Sequence, residues 1–161
     1  MGATTTIAPK TRFVTTLTSG TSYTVPAGVI YLNVTLRGGG GGGAAGGTVK
    51  YGQQSVGGAV VTSFLTVTPG ASITYAIGAG GTGETISSAV AAGAGGSTTF
   101  TGATTATGGA GAPFGTTATG GTGTNYFSAG NGGAQGGTNS MGMSGVGGAG
   151  GSGSIDVEYW A

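Results

Sequence analysis

Apolar and polar residues alternate with a period of two in several short runs of this chain, the spacing at which successive side chains fall on opposite faces of an extended strand. Residues 11–18 place Phe13, Thr15 and Leu17 on one face and stop at the turn signal Ser19-Gly20. Residues 22–25 form a short extended piece that ends at Pro26-Ala27-Gly28, where proline presets a turn and glycine accepts positive φ. Residues 29–37 set Ile30, Leu32, Val34 and Leu36 on one face, with Tyr31, Asn33, Thr35 and Arg37 on the other. Residues 59–68 oppose Val61, Leu65 and Val67 to Val60, Thr62, Phe64 and Thr66. Thr68-Pro69-Gly70-Ala71 has the residues of a type II turn, so residues 72–77, with Ile73, Tyr75 and Ile77 aligned, are expected to return as the hairpin partner. A weaker hairpin is predicted from residues 97–101 and 104–107 around Gly102-Ala103, and a last strand over residues 154–160 turns Ile155, Val157 and Tyr159 inward and Asp156, Glu158 and Trp160 outward. Helical periodicity is confined to residues 86–92, enough for a turn or two.

Threonine and β-branched residues dominate these runs, which predicts an all-β fold, an antiparallel β-sandwich of jelly-roll type. Three glycine-rich insertions interrupt it, at residues 38–58, 78–96 and 108–153. The last is too long for an ordinary structureless loop. Stepping by three from Gly130 meets glycine at seven of eight positions up to Gly151, with Asn139 as the exception. Three residues per turn is the repeat of the left-handed extended helix, and a glycine stripe on such a helix lets a second backbone approach closely. Two readings stand at this point. In one, the insertions pack side by side as polyglycine II helices joined by backbone hydrogen bonds; in the other, they are solvated loops.

Composition narrows the chemistry. The chain has 161 residues, 42 of them glycine, with four Lys and Arg, three Asp and Glu, and no cysteine or histidine. Four positive charges cannot line a phosphate backbone, so no nucleic acid is expected as a partner. A Ser or Thr nucleophile lacks a histidine base, and the one carboxylate pair, Asp156 and Glu158, reads as solvation of a terminal strand beside Arg37 or Lys50. No enzyme activity, cofactor or metal site is implied: calcium-binding glycine repeats carry aspartates, and these insertions have none. What the insertions do carry is uncharged contact groups, above all Tyr51 and the adjoining Asn125, Tyr126 and Phe127. Tyrosine and asparagine on glycine-framed tips are the composition of adaptable recognition loops. These four are the candidate receptor-binding residues.

The order of motifs, Tyr23-Thr-Val-Pro-Ala-Gly-Val29, Leu32-Asn-Val-Thr-Leu-Arg37 followed by a glycine block, Leu65-Thr-Val-Thr-Pro-Gly70, Ile77-Gly-Ala-Gly-Gly81 and Gly95-Gly-Ser-Thr-Thr-Phe100, resembles the glycine-rich domain of bacteriophage tail fibres and tail-tip adhesins. The resemblance covers residues 11–160 as one domain and leaves residues 1–10 as a flexible leader or attachment segment. It implies a virion structural protein at the tail or particle surface, bound to other virion proteins. It implies homo-oligomers, with a trimer favoured, and contact with a host surface glycan or outer-membrane protein. A purely structural decoration or tail-assembly role is the alternative.

Overall fold

The computed structural model describes residues 9–44, 55–84, 91–112 and 147–161. Seven strands form in the described residues: β1 (Arg12–Leu17), β2 (Ser22–Thr24), β3 (Tyr31–Arg37), β4 (Val60–Thr66), β5 (Ser72–Ala76), β6 (Thr99–Phe100) and β7 (Ser154–Trp160). They make two antiparallel sheets, one in the order β1-β7-β3-β4 and one in the order β2-β5-β6. The inward faces meet in a core led by Leu32, Val34, Leu36, Ile155, Val157, Val25 and Phe100. Tyr75 closes it from the second sheet, stacked on Phe100 at 6.3 Å and donating its hydroxyl to Ser19 O at 2.7 Å.

The strand expectations hold in place and in face, with two corrections. Ile30 precedes β3 and is half exposed, so the buried row begins at Leu32. The turn at Pro69-Gly70 forms, with Gly70 at φ 77°, but β4 and β5 do not pair. β4 pairs with β3, and β5 pairs with β2 and β6. The turn is therefore an arch that carries the chain from one sheet to the other. Its backbone is held by the end of β2, through Gly70 N to Val25 O and Val25 N to Ala71 O, both 2.9 Å. Local turn chemistry could not distinguish the two outcomes, because both burial patterns present one apolar face to the same core.

The glycine insertions are ordered in their described parts, and their hydrogen bonds repeat every three residues. Along residues 38–43 successive N–H groups donate in three directions. Gly38 and Gly41 reach Ala59 and Val56, Gly39 and Gly42 reach Gly96 and Gly93, and Gly40 and Gly43 reach Gly151 and Gly148. Carbonyls take two further directions: Gly39 and Gly42 accept from Gly109 and Ala112, and Gly40 and Gly43 accept from Gly81 and Glu84. In the remaining direction the Gly41 carbonyl accepts from the hydroxyl of buried Ser55 at 2.6 Å. A backbone that bonds outward on all sides with a period of three is a polyglycine II helix, and residues 38–43 are the centre of a bundle of them.

Bonds between the outer segments fix their order around that centre as 55–59, 107–112, 91–97, 78–84 and 147–153. Direction relative to the centre alternates around the ring, since 55–59, 91–97 and 147–153 run antiparallel to it and the other two parallel. Bare backbone is what permits this. A Cβ on Gly38 or Gly41 would overlap the carbonyl of Thr107 or Ala110, and one on Gly39 or Gly42 that of Ala79 or Thr82. Glycine is not used here for unusual torsion: the positive-φ glycines of the described residues, Gly20, Gly28, Gly70 and Gly102, all lie outside the bundle.

The expected glycine stripe needs correction too. In residues 147–153, Gly148 and Gly151 supply carbonyls to the centre, whereas Gly147 and Gly150 are the ones whose Cβ would overlap the carbonyls of Gly43 and Gly40. Residues 78–84 show why two phases in three are bare: a Cβ on Gly78 or Gly81 would overlap the carbonyl of Gly96 or Gly93, and one on Gly80 or Gly83 that of Gly150 or Gly147. The third phase is free for a side chain and faces outward, as at exposed Ala79 and Thr82, Ala91 and Ala94, or Ala149 and Ser152. The rest of the stripe, from Gly130 to Gly145, and residues 86–90 of the expected helical window at 86–92 lie outside the described residues; Ala91 and Ala92 are not helical, and Ala92 bonds to Ala112 in the bundle.

Every bundle segment continues a strand or a bridge. Residue 38 follows β3, 59 precedes β4, 78 follows β5, 97 precedes β6, 107 follows the bridge of Thr98 to Ala106, and 153 precedes β7. Thr98 sits at this junction, fully buried, with its hydroxyl donating to Arg37 O at 2.7 Å and accepting from Gly78 N at 2.9 Å.

Two substitutions separate close approach from torsion. Gly41→Ala places a methyl against the Ala110 carbonyl and is expected to cost about 3 kcal/mol in chemical unfolding, the upper range for overpacking. Gly28→Asn, at φ 80° with open space around it, is expected to cost under about 1 kcal/mol. Equal losses would refute the packing account. Thr98→Val keeps the volume but strands a buried N–H and a carbonyl, and should lower unfolding free energy by about 2 kcal/mol or more.

Candidate functional site

The bundle has a sheet end and a far end. Hydrogen-bond register places residues 44, 55, 84, 91, 112 and 147 at the far end, because Glu84 bonds Gly43 and Gly147, Ala92 bonds Ala112, and Ala112 bonds Gly42. With a rise of about 3.1 Å per residue, these six chain positions lie within roughly two residues of one level. The connections 45–54, 85–90 and 113–146 therefore all leave from a single end of the molecule. Tyr51 belongs to the first of them, and Asn125, Tyr126 and Phe127 belong to the third. All four candidate contact residues lie outside the described residues; what the structure defines is the shared platform on which their connections are anchored.

At the other end, the outer face of the four-stranded sheet collects most of the charge. Asp156 lies opposite Thr35 and Thr16 in the sheet register, and Glu158 opposite Asn33 and Val14. Asp156 accepts from Arg37 Nη1 at 2.6 Å and from Thr16 Oγ1 at 2.7 Å. Glu158 pairs with Arg12 and accepts from Asn33 Nδ2 at 3.2 Å. Burial would push the Asp156 carboxyl up, but the hydrogen bonds from Thr16 and Arg37 together with the Arg37 charge outweigh it and hold it below its ordinary value. The hydrogen bond from Arg12 lowers the Glu158 carboxyl, and the same contact raises the Arg12 guanidinium. Both carboxylates are thus engaged with arginines, which leaves no acid held ready for proton transfer in this pair.

Beyond the charged rows, Tyr31 and Phe64 stack at 5.5 Å and, with Ile30, Trp160, Lys10 and Gly28, line a hollow of about 330 Å³. Phe64 is 67% exposed. This hollow was not singled out from sequence, although the alternation that turned Tyr31, Phe64 and Trp160 away from the core was readable there. Among the described residues no three acidic, histidine or cysteine side chains gather as a metal site would require.

A two-sheet antiparallel β-fold continued into a bundle of polyglycine helices, with its connections collected at one end, defines a glycine-rich all-β domain. The chain belongs to the glycine-rich domain family, which it matches over residues 15–160. No curated protein matches the sequence.

The paired carboxyls set an acid limit. Both are lowered in the folded state, so the unfolded chain binds more protons below about pH 5. Their stabilisation is complete above the unfolded values of about 4 and is lost as pH falls through the lower folded ones. Denaturant unfolding between about pH 7 and pH 2 should show stability falling on the acid side, and Asp156→Asn should flatten that fall. A variant profile parallel to the parent's would show that Asp156 is not a source of the acid sensitivity.

Proposed function

We propose that this protein is a structural component of a bacteriophage particle, at the tail fibre or tail tip, and that it holds host-recognition loops on a rigid frame. One observation carries the reading: the three connections, including those that bear Tyr51 and Asn125-Tyr126-Phe127, leave from one end of a bundle whose every segment is bonded to its neighbours. A recognition surface benefits from such a base, because loops mounted on a stiff scaffold lose less freedom on binding than loops on a mobile one. The polarity of the molecule fits as well. Thr11 and Ala161 pair at the opposite end, so a particle that holds that end of the sheet turns the bundle's far end outward.

The contact chemistry is uncharged aromatic and amide, suited to a glycan or to an exposed loop of an outer-membrane protein. In the alternative, the same loops pack against neighbouring virion subunits and have no receptor. Both readings make the protein a binding and assembly element with no catalytic step.

The test is adsorption. Tyr126→Ala with Phe127→Ala, placed in the assembled particle, is expected to reduce host-cell adsorption by at least about tenfold, the loss of roughly 1.4 kcal/mol or more that aromatic anchors commonly carry. Particle yield and the thermal unfolding of the isolated chain should be unchanged. Normal adsorption with normal assembly would reject the receptor reading, and failed assembly would favour the structural one.

A further inference from the structure

The geometry points to β1 as a self-pairing edge: two copies of this chain join antiparallel along Arg12–Leu17, about a twofold axis at Val14, and fuse their four-stranded sheets into one. Among the described residues β1 is the terminal strand of its sheet, and Arg12 to Thr16 are exposed along its length. Its backbone groups face two ways in strict alternation. Thr11 and Ala161 exchange both of their hydrogen bonds, at 2.8 and 3.1 Å, so the pairs Phe13 with Tyr159, Thr15 with Val157 and Leu17 with Ile155 are the bonded ones. The N–H and C=O groups of Arg12, Val14 and Thr16 consequently face the open side.

Edge strands in soluble proteins are ordinarily blunted by proline, a bulge, an inward charge or shortness. β1 has none of these. It keeps an unbroken register of six residues with β7, contains no proline, and exposes Phe13 at 43% and Val14 at 49%. Its only charge, Arg12, lies on the outer face and is occupied by Glu158.

The strand's own sequence selects a second copy and a register. With Val14 opposite Val14 of the copy, Arg12 faces Thr16 and every outward backbone group finds a partner, for about six new hydrogen bonds at two per bonded pair. Arg12 then approaches the side of the copy where Thr16 holds Asp156 at 2.7 Å, so the meeting charges are opposite in sign. A register centred on Arg12 would oppose two arginines, and one centred on Thr16 would run beyond the end of the strand. On the inner side Phe13, already stacked on Tyr159 at 5.2 Å, would be covered by Thr15 of the copy. The surface is isologous and closed, unlike pairing of β1 onto the other edge, β4, which would propagate into a filament.

Proline distinguishes this arrangement from a merely stable fold. Val14→Pro removes an N–H that has no partner among the described residues, whereas Thr15→Pro removes one bonded to β7. Sedimentation velocity of the full chain across roughly micromolar to hundred-micromolar concentrations is expected to show a dimer for the parent. Val14→Pro should be a monomer with unchanged circular dichroism and a melting temperature within a few degrees of the monomeric parent at low concentration. Val14→Lys, which places two like charges on the axis, should weaken dimerisation at least tenfold without touching the backbone. A parent that stays monomeric throughout, a trimer such as the family resemblance implies, or a dimer indifferent to both substitutions would each overturn the inference. Host adsorption by Tyr126 and Phe127 is independent of these outcomes, so the two readings fail separately.

Discussion

The structure depends on one requirement, that residues 38–43 be surrounded by backbone. A polyglycine II helix directs its N–H and C=O groups outward in turn, so a buried one is satisfied only when other chains stand on every side. Gly38 to Gly43 bond to five separate segments and to the Ser55 hydroxyl. A side chain on Gly38, Gly39, Gly41 or Gly42 would push one of those neighbours away. Ordering a glycine costs roughly 0.5 to 1 kcal/mol more than ordering an alanine, which a net gain of about 1 kcal/mol per backbone hydrogen bond is large enough to offset. A solitary glycine helix in water would have no such offset, and the bundle therefore forms as a unit or not at all.

That requirement reaches into the sandwich because each helix is the extension of a strand. Leu36 is buried in the sheet, Arg37 still pairs with Ser154 and Val60, and Gly38 already bonds to Ala59 in the bundle. Register in the sheet and register in the bundle thus fix one another, and a slip of one residue would both invert the faces of a strand and misdirect every helix bond beyond it. Thr98 ties the layers laterally at the same level, bridging Arg37 and Gly78. No hinge of loose residues separates the two regions.

Much of this was legible in the chain. Alternation marked the strands that line the core, as in β3, β5 and β7, because each has one face in the core and one outside it. The six uninterrupted glycines after Arg37 marked the central helix, whose N–H and C=O groups bond outward to all the surrounding segments. The outer helices were legible in a different way: Gly78-Ala-Gly-Gly-Thr-Gly83 and Gly147-Gly-Ala-Gly-Gly-Ser-Gly153 leave every third position to Ala, Thr or Ser, the phase that faces outward. A search for a single glycine stripe captured only half of that rule. Which strands pair was not legible, as the arch at Pro69-Gly70 shows, since a turn that would suit a hairpin also suits a crossing between sheets. The aromatic hollow was half legible, for alternation shows that Tyr31 and Phe64 face out but not that their rings stack.

The two ends of the molecule solve opposite problems. On the sheet face, Arg12 is paired with Glu158 and Arg37 with Asp156, so that what remains for outside contact among the described residues is Lys10, aromatic surface and the backbone of an edge. At the far end, the alternating direction of the helices means that chain leaves and re-enters three times at one level, which allows connections of very different length, from the six residues of 85–90 to the much longer 113–146, to start from the same platform. Lengthening one of them need not disturb a single bundle bond, because loop closure grows only slowly with length once its ends are fixed. A frame that holds its ends rigid while leaving the length and composition of its connections unconstrained separates stability from recognition, and glycine is the residue that makes the frame possible.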